Sequence, residues 1–230
     1  EFSKDSILCQ SQITDISKSN DGYKLTFLQN GDKKLFTCDE IICTVPTHVL
    51  KSITVNDEQY SDFSKLNEIN YPPVISISLG YKSKDIPHRL DGFGALVPKC
   101  EKMNILGVLF SSTLFDNRAP DGHSLLTIFM GGARQPGLAS LTDSQRLDLV
   151  KTDLQILLGI NTEPVLTHQT VWEKSIPQYH VGYGHYKSTM NMVEAKLPCF
   201  HFAGNYVNGI SIQDTILHSM NLINGINHQS

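Results

Sequence analysis

Phe200–Leu217, FHFAGNYVNGISIQDTIL, decides how the rest of the chain is read. Phe200–Ala203 is apolar and short enough for one strand, and Gly204, Asn205 and Gly209 supply the turn that follows. Ser211 then stands where a helix N-cap belongs, with Asp214 three residues on. Ile216, Met220 and Ile223 recur at three- and four-residue steps as one apolar face, which Gly225 closes. A glycine-lined turn lets backbone approach a ligand. The helix start behind it offers free N–H groups and a partial positive charge to an anion or an electron-rich ring edge. The plainer reading of the same residues is an ordinary strand–loop–helix with a good cap.

Working outward, Glu40–Pro46 (EIICTVP) is a short unbroken apolar strand stopped by proline, which suits burial on both faces in a parallel sheet. Before it, Ile7–Thr14 and Tyr23–Leu28 read as strands. Asn20-Asp21-Gly22 and Asn30-Gly31-Asp32 turn between them, so residues 1–50 look like a β-meander with one further strand. In the middle of the chain, Val74–Tyr81 (VISISLGY) alternates strictly, with Ile75, Ile77, Leu79 and Tyr81 on one face. Ile105–Ser111 and Leu125–Met130 follow around turn chemistry at Asp116–Gly122, giving one antiparallel sheet over Val74–Gly132. Thr142 and Gln145 form a capping box for a helix whose stripe is Leu147, Val150, Leu154, Leu157 and Leu158, ended by Gly159. A strand over Pro164–Lys174, an extended Ile176–Tyr179 and a helix over Gly182–Glu194 lead back to Phe200. The expected fold class is mixed α+β and α/β: a partial Rossmann-like layer from residues 1–50 and 181–230, with an antiparallel sheet-and-helix domain at 51–180 inserted between them.

Composition narrows the function classes. The chain has 230 residues, 40% hydrophobic and 18% charged, with a net charge of −4 and no basic stripe. That argues against nucleic acid and against an electrostatic membrane surface. No apolar run reaches the ~18 residues of a membrane span. The five cysteines show no CxxC spacing, and the nine histidines are dispersed, so neither a disulfide framework nor a metal site is expected. No nucleophile stands beside a base, and no paired carboxylates stand out.

AGNY-x-x-G-[IV]-[SA]-[IV]-x-D at Ala203–Asp214 resembles the last FAD-binding segment of protoporphyrinogen oxidases, within the wider flavin amine oxidase group. Further blocks resemble that family in order: Gly92–Pro98 (GFGALVP), Leu106–Ser112 (LGVLFSS), Phe129–Gly132 (FMGG) and Ile176–Tyr179 (IPQY). The resemblance implies FAD as cofactor, with Gly204 and Asn205 by the phosphates and with Ile210, Ser211 and Ile212 presenting backbone to the ring. It also implies an adenine-side contact at Ile7 and a cofactor-side end to the Ile41–Pro46 strand. The implied substrate is protoporphyrinogen IX, oxidised to protoporphyrin IX with oxygen as the usual reoxidant. Leu96, Leu109 and Phe129 would wall the macrocycle, and Gly94 would allow close approach. A flat, oily tetrapyrrole does need large apolar walls and a thinned one. It also suits a site where the cofactor takes the hydride and no protein side chain is catalytic.

Such flavoproteins begin with a strand, GxGxxG and a helix, and this chain has only Gly92-x-Gly94 and Gly182-x-Gly184. The expectation is therefore a C-terminal half with Glu1-Phe2 as a cloning remnant, inactive and a poor FAD binder alone. Its partners would be the missing N-terminal half and, through an apolar edge, itself. The resemblance implies a cytoplasmic protein, or one peripheral on the inner face of a membrane at full length. Two rivals stay open: another flavin amine oxidase relative, of phytoene desaturase or amine oxidase type, and a non-catalytic tetrapyrrole- or partner-binding domain. Amine oxidases would show an aromatic pair before the flavin, where this chain reads Tyr183-Gly184-His185.

Overall fold

The computed structural model describes residues 6–19 and 21–227, so Glu1-Phe2 and Asn20 of the first turn signal lie outside the described residues. The chain runs β1 (Ser11–Ser19), β2 (Gly22–Gln29), β3 (Asp32–Cys38), β4 (Ile41–Cys43), α1 (Thr47–Leu50), β5 (Thr54–Val55), β6 (Glu58–Gln59) and α2 (Ser61–Leu66). It continues through β7 (Val74–Lys82), β8 (Gly94–Leu96), β9 (Ile105–Leu109), α3 (Ser111–Leu114), β10 (His123–Gly131), α4 (Asp143–Leu158) and β11 (Leu166–Trp172). α5 (Gly184–Lys196), β12 (Phe200–Phe202) and α6 (Ile212–Asn227) follow. The architecture is mixed α/β, in two units: Glu1–Asn70 with Ile176–Ser230, and Tyr71–Ser175.

The unit of Tyr71–Ser175 is an antiparallel sheet in the order β11-β7-β10-β9-β8. Alternation along β7 places Ile75, Ile77, Leu79 and Tyr81 on one face, all but fully buried. Val108, Leu126, Ile128 and Met130 join them from the neighbouring strands. α4 covers that face with Val150, Leu154 and Leu158 buried and Leu147 and Leu157 packed alongside. Its ends are set by sequence chemistry. Thr142 Oγ1 accepts from the Gln145 N–H (3.3 Å), Gln145 Oε1 accepts from the Thr142 N–H (2.9 Å), and Gly159 closes the helix at φ 71°.

Two polar residues hide within this apolar contact. Asp153, on the buried side of α4, accepts from the backbone N–H groups of Asn104 (2.7 Å) and Ile105 (3.0 Å), and so fixes the start of β9. Arg146, also buried, donates to Gln169 Oε1 (3.0 Å) and Ala139 O (3.2 Å) and pairs with Asp143. The expected strand to Ser111 stops at Leu109, because Ser111–Leu114 winds into the short α3.

In the other unit, β3-β2-β1-β5-β6 make one sheet, three strands of it the expected meander. β1 begins at Ser11 rather than Ile7, and the chain ahead of it turns at Cys9-Gln10. β4 and β12 pair in parallel, Phe200 with Ile41 and Phe202 with Cys43. This β4 is not buried on both faces as its apolarity suggested: Cys43 is buried but Ile42 is exposed. α1 and α2 were not anticipated, since helices of four and six residues leave no periodic signal. α2 puts Phe63 against Phe200 and Phe202, ring centroids 6.1 and 6.3 Å apart. That contact keeps residues 51–70 in this unit, where a boundary at 50/51 had been expected. At the other boundary, the Gln178 N–H donates to Asn70 O (2.9 Å), so the division falls before Ile176 and not at 180/181.

α5 runs over Gly184–Lys196, two residues later than expected. α6 starts as expected, with the Asp214 N–H bonded to Ser211 Oγ (3.0 Å), but it runs through Gly225 to Asn227. Its apolar side chains Ile216, Met220 and Ile223 are exposed.

Candidate functional site

The sheet has a second face, and register decides what stands on it. Across β8, β9 and β10, Leu96 pairs with Gly107 and Gly107 with Phe129. The next row on the same face is Gly94, Leu109 and Thr127. The intervening Ala95, Val108 and Ile128 point to the α4 side, so Gly94, Leu96, Leu109 and Phe129 share the face turned away from the core. They line one cavity of about 490 Å³, with Phe93 and Leu106 beside them and no titratable lining residue. Leu96 is 89% exposed and Phe93 is 69% exposed, large apolar areas left in water at one spot.

Glycines shape this cavity. Gly94 sits at φ 144°, and a Cβ there would lie 2.1 Å from Val108 O. A Cβ on Gly107 would lie 2.6 Å from Ala95 O. Gly107 is the residue that sequence reasoning missed. It was visible inside LGVLFSS, but only the pairing shows it between Leu96 and Phe129.

In the other unit, β12 ends at the predicted turn. Gly204 has φ 135° and Gly209 φ 142°, conformations that side chains rarely adopt. A Cβ on Gly204 would lie 3.0 Å from the Tyr206 ring, and one on Gly209 would lie 2.6 Å from Asp214 Oδ2. Gly204, Asn205, Ile210 and Ile212 line a cleft of about 450 Å³ together with Thr44, Pro46, Tyr206 and Ile216. The cleft lies at the carboxyl ends of the parallel pair β4 and β12, the usual ligand side of a parallel sheet. Ser211 is exposed and is not one of the lining residues; its hydroxyl is spent on capping α6, where it accepts from the Asp214 N–H, and the other N–H groups of the first turn have no partner within the helix. Ile7 is not among these groups: it is 64% exposed, ahead of β1, and lines neither cavity.

The turn is buttressed from behind. Tyr206, buried, donates its hydroxyl to Cys43 O (3.0 Å). Cys43 is enclosed as well, and burial pushes its thiol up to about 11. Tyr183 donates to Tyr206 O (2.7 Å) and stacks on Tyr179, ring centroids 4.1 Å apart.

Residues 1–221 match the family model of flavin containing amine oxidoreductases. The chain belongs to that family. Among its curated relatives, protoporphyrinogen oxidase 2 of Arabidopsis thaliana is 34% identical over 182 residues, covering 77% of this chain and 36% of the relative. The chloroplastic protoporphyrinogen oxidase of Nicotiana tabacum is 32% identical over 212 residues, covering 87% and 38%. Coproporphyrinogen III oxidase of Bacillus subtilis is 26% identical over 207 residues, covering 90% and 43%. The chain thus spans well under half the length of these relatives. A solved Exiguobacterium sp. 255-15 structure, provisionally named a protoporphyrinogen oxidase, superposes with a TM-score of 0.76 at 19% identity over 96% of this chain and 47% of that one. At that identity the likeness speaks for the fold alone. Among the described residues of this chain, no helix is long and apolar enough to cross a membrane.

Proposed function

We propose that this chain carries the porphyrinogen-gripping sheet and the flavin-facing loop of an FAD-dependent protoporphyrinogen oxidase. The observation that carries the reading is the row Leu96–Gly107–Phe129, an oily trough with a glycine floor on a face the core does not use. A flat macrocycle can lie over Gly107 with Phe129 stacked or edge-on and the leucines around it. A wall with no titratable group favours protoporphyrinogen over the more carboxylated coproporphyrinogen. The Gly204–Ile212 loop fits FAD through its missing Cβ atoms and the donors at the start of α6. Gly204 and Asn205 would lie by the phosphates, and Ile210, Ser211 and Ile212 would present backbone to the ring. FAD, when bound, would accept hydride from the substrate and be reoxidised by oxygen. The residues of this chain hold and orient the two flat groups and exclude water, and none of them is assigned a proton transfer.

The test uses Trp172, the only tryptophan, which sits on β11 of the same sheet as Phe129. Titration with protoporphyrin IX should quench it saturably and more tightly than coproporphyrin does. Absence of quenching would remove the substrate assignment. Mixing the chain with the separately expressed dinucleotide-binding part of a plant relative should yield a yellow complex with oxidase activity. A colourless mixture would remove the enzyme assignment.

A further inference from the structure

We propose that Tyr179 is the positioning residue that shapes the Gly204–Gly209 loop for the flavin, an inference that rests on the reading of that loop given above. Its hydroxyl donates to Asn205 O at 2.8 Å and accepts from the Gly209 N–H at 3.1 Å. One oxygen thereby ties together the two ends of the turn. Within the loop itself the described residues show one backbone hydrogen bond, from the Val207 N–H to Gly204 O (3.2 Å). Both ends are glycines at positive φ, which carry the largest conformational entropy to lose. A turn so built gains from an outside group that holds its shape, and a hydroxyl can donate to one peptide and accept from another through a single atom.

The group is itself held in place. The Tyr179 ring lies on the Tyr183 ring at an interplanar angle of 23°, and the Tyr183 hydroxyl is fixed on Tyr206 O. On the other side of the turn, Asn208 accepts from Lys187 Nζ (3.2 Å) and meets His218 Nδ1 (2.8 Å). The loop is therefore braced by side chains of the chain itself, and a braced loop binds more tightly because less ordering remains to be done on binding. Tyr179 lines neither cavity, so it acts through the loop and not by touching the cofactor.

Amide hydrogen exchange by NMR tests this on the wild-type chain and on Tyr179→Phe, with FAD raised to millimolar levels and shifts followed at Gly204, Gly209, Ile210 and Ile212. In the wild type, the Gly209 N–H should exchange at least about tenfold more slowly than an unstructured amide. That measurement needs no variant, and its failure overturns the clamp. In Tyr179→Phe, exchange at Gly209 should rise about tenfold and the affinity for FAD should fall by a similar factor, with β7 and β10 amides unchanged. Tyr186→Phe, on an aromatic neighbour of Tyr183, should move neither readout. Faster exchange with unaltered FAD affinity overturns the role toward the flavin. If exchange depends on Tyr179 but FAD shifts none of the four amides in the wild type, the flavin reading of the loop has failed and the proposal falls with it, while the brace itself stands.

Discussion

Leu96 and Phe129 both pair with Gly107, one from each side of β9, so no side chain rises between them. A trough of this kind separates binding from stability. Leu96 is 89% exposed, so Leu96→Ser should change unfolding free energy by less than about 0.5 kcal/mol. The same substitution should weaken protoporphyrin quenching of Trp172 by about tenfold, since an apolar wall of that size contributes on the order of 1–2 kcal/mol when covered. Equal quenching curves for the two proteins would show that the ring does not lie there.

The opposite face behaves as a core. Leu154 on α4 is fully buried against the sheet. Leu154→Ala should cost about 2–5 kcal/mol, read from the denaturant midpoint of the Tyr71–Ser175 unit. A cost under about 1 kcal/mol would mean that α4 does not seal this face.

Acid should loosen the other unit through Asp62. Hydrogen bonds from Lys196 and Lys65 hold this buried carboxyl below its usual range, against the opposing push of burial. A depressed folded value makes the contribution fully present above the unfolded pKa near 4 and lost as pH falls through the lower folded one. Asp62→Asn should therefore be less stable than wild type by about 1 kcal/mol at neutral pH, the lysines being well exposed. The two proteins should converge as pH falls through that lower folded value. A difference independent of pH would mean that charge at Asp62 is not the cause.

Thiol labelling should sort the five cysteines by environment. Cys9, Cys100 and Cys199 are exposed, Cys38 is half-buried and Cys43 is buried, with its thiol pushed up to about 11. With a maleimide at neutral pH, Cys43 should react only on unfolding, and the exposed three first. Early modification of Cys43 would show that the β4–β12 pair opens readily in solution.

Local chemistry in the chain was enough to place α4, its capping box and its Gly159 stop, because those signals act over three or four residues and need no partner. The alternation of VISISLGY likewise determined which side of β7 is core, and the Ala203–Asp214 wording marked the loop. Only the tertiary structure decided that Gly107 is the floor between Leu96 and Phe129, because register is a relation between strands and no single strand carries it. It alone brought Tyr179 to Asn205 and Gly209, a contact that spans 26 and 30 residues. It also assigned Ile42 and the α6 face to the surface, although their sequences are as apolar as a core. Burial depends on what packs against a residue, and hydrophobicity alone supplies the tendency without the neighbour.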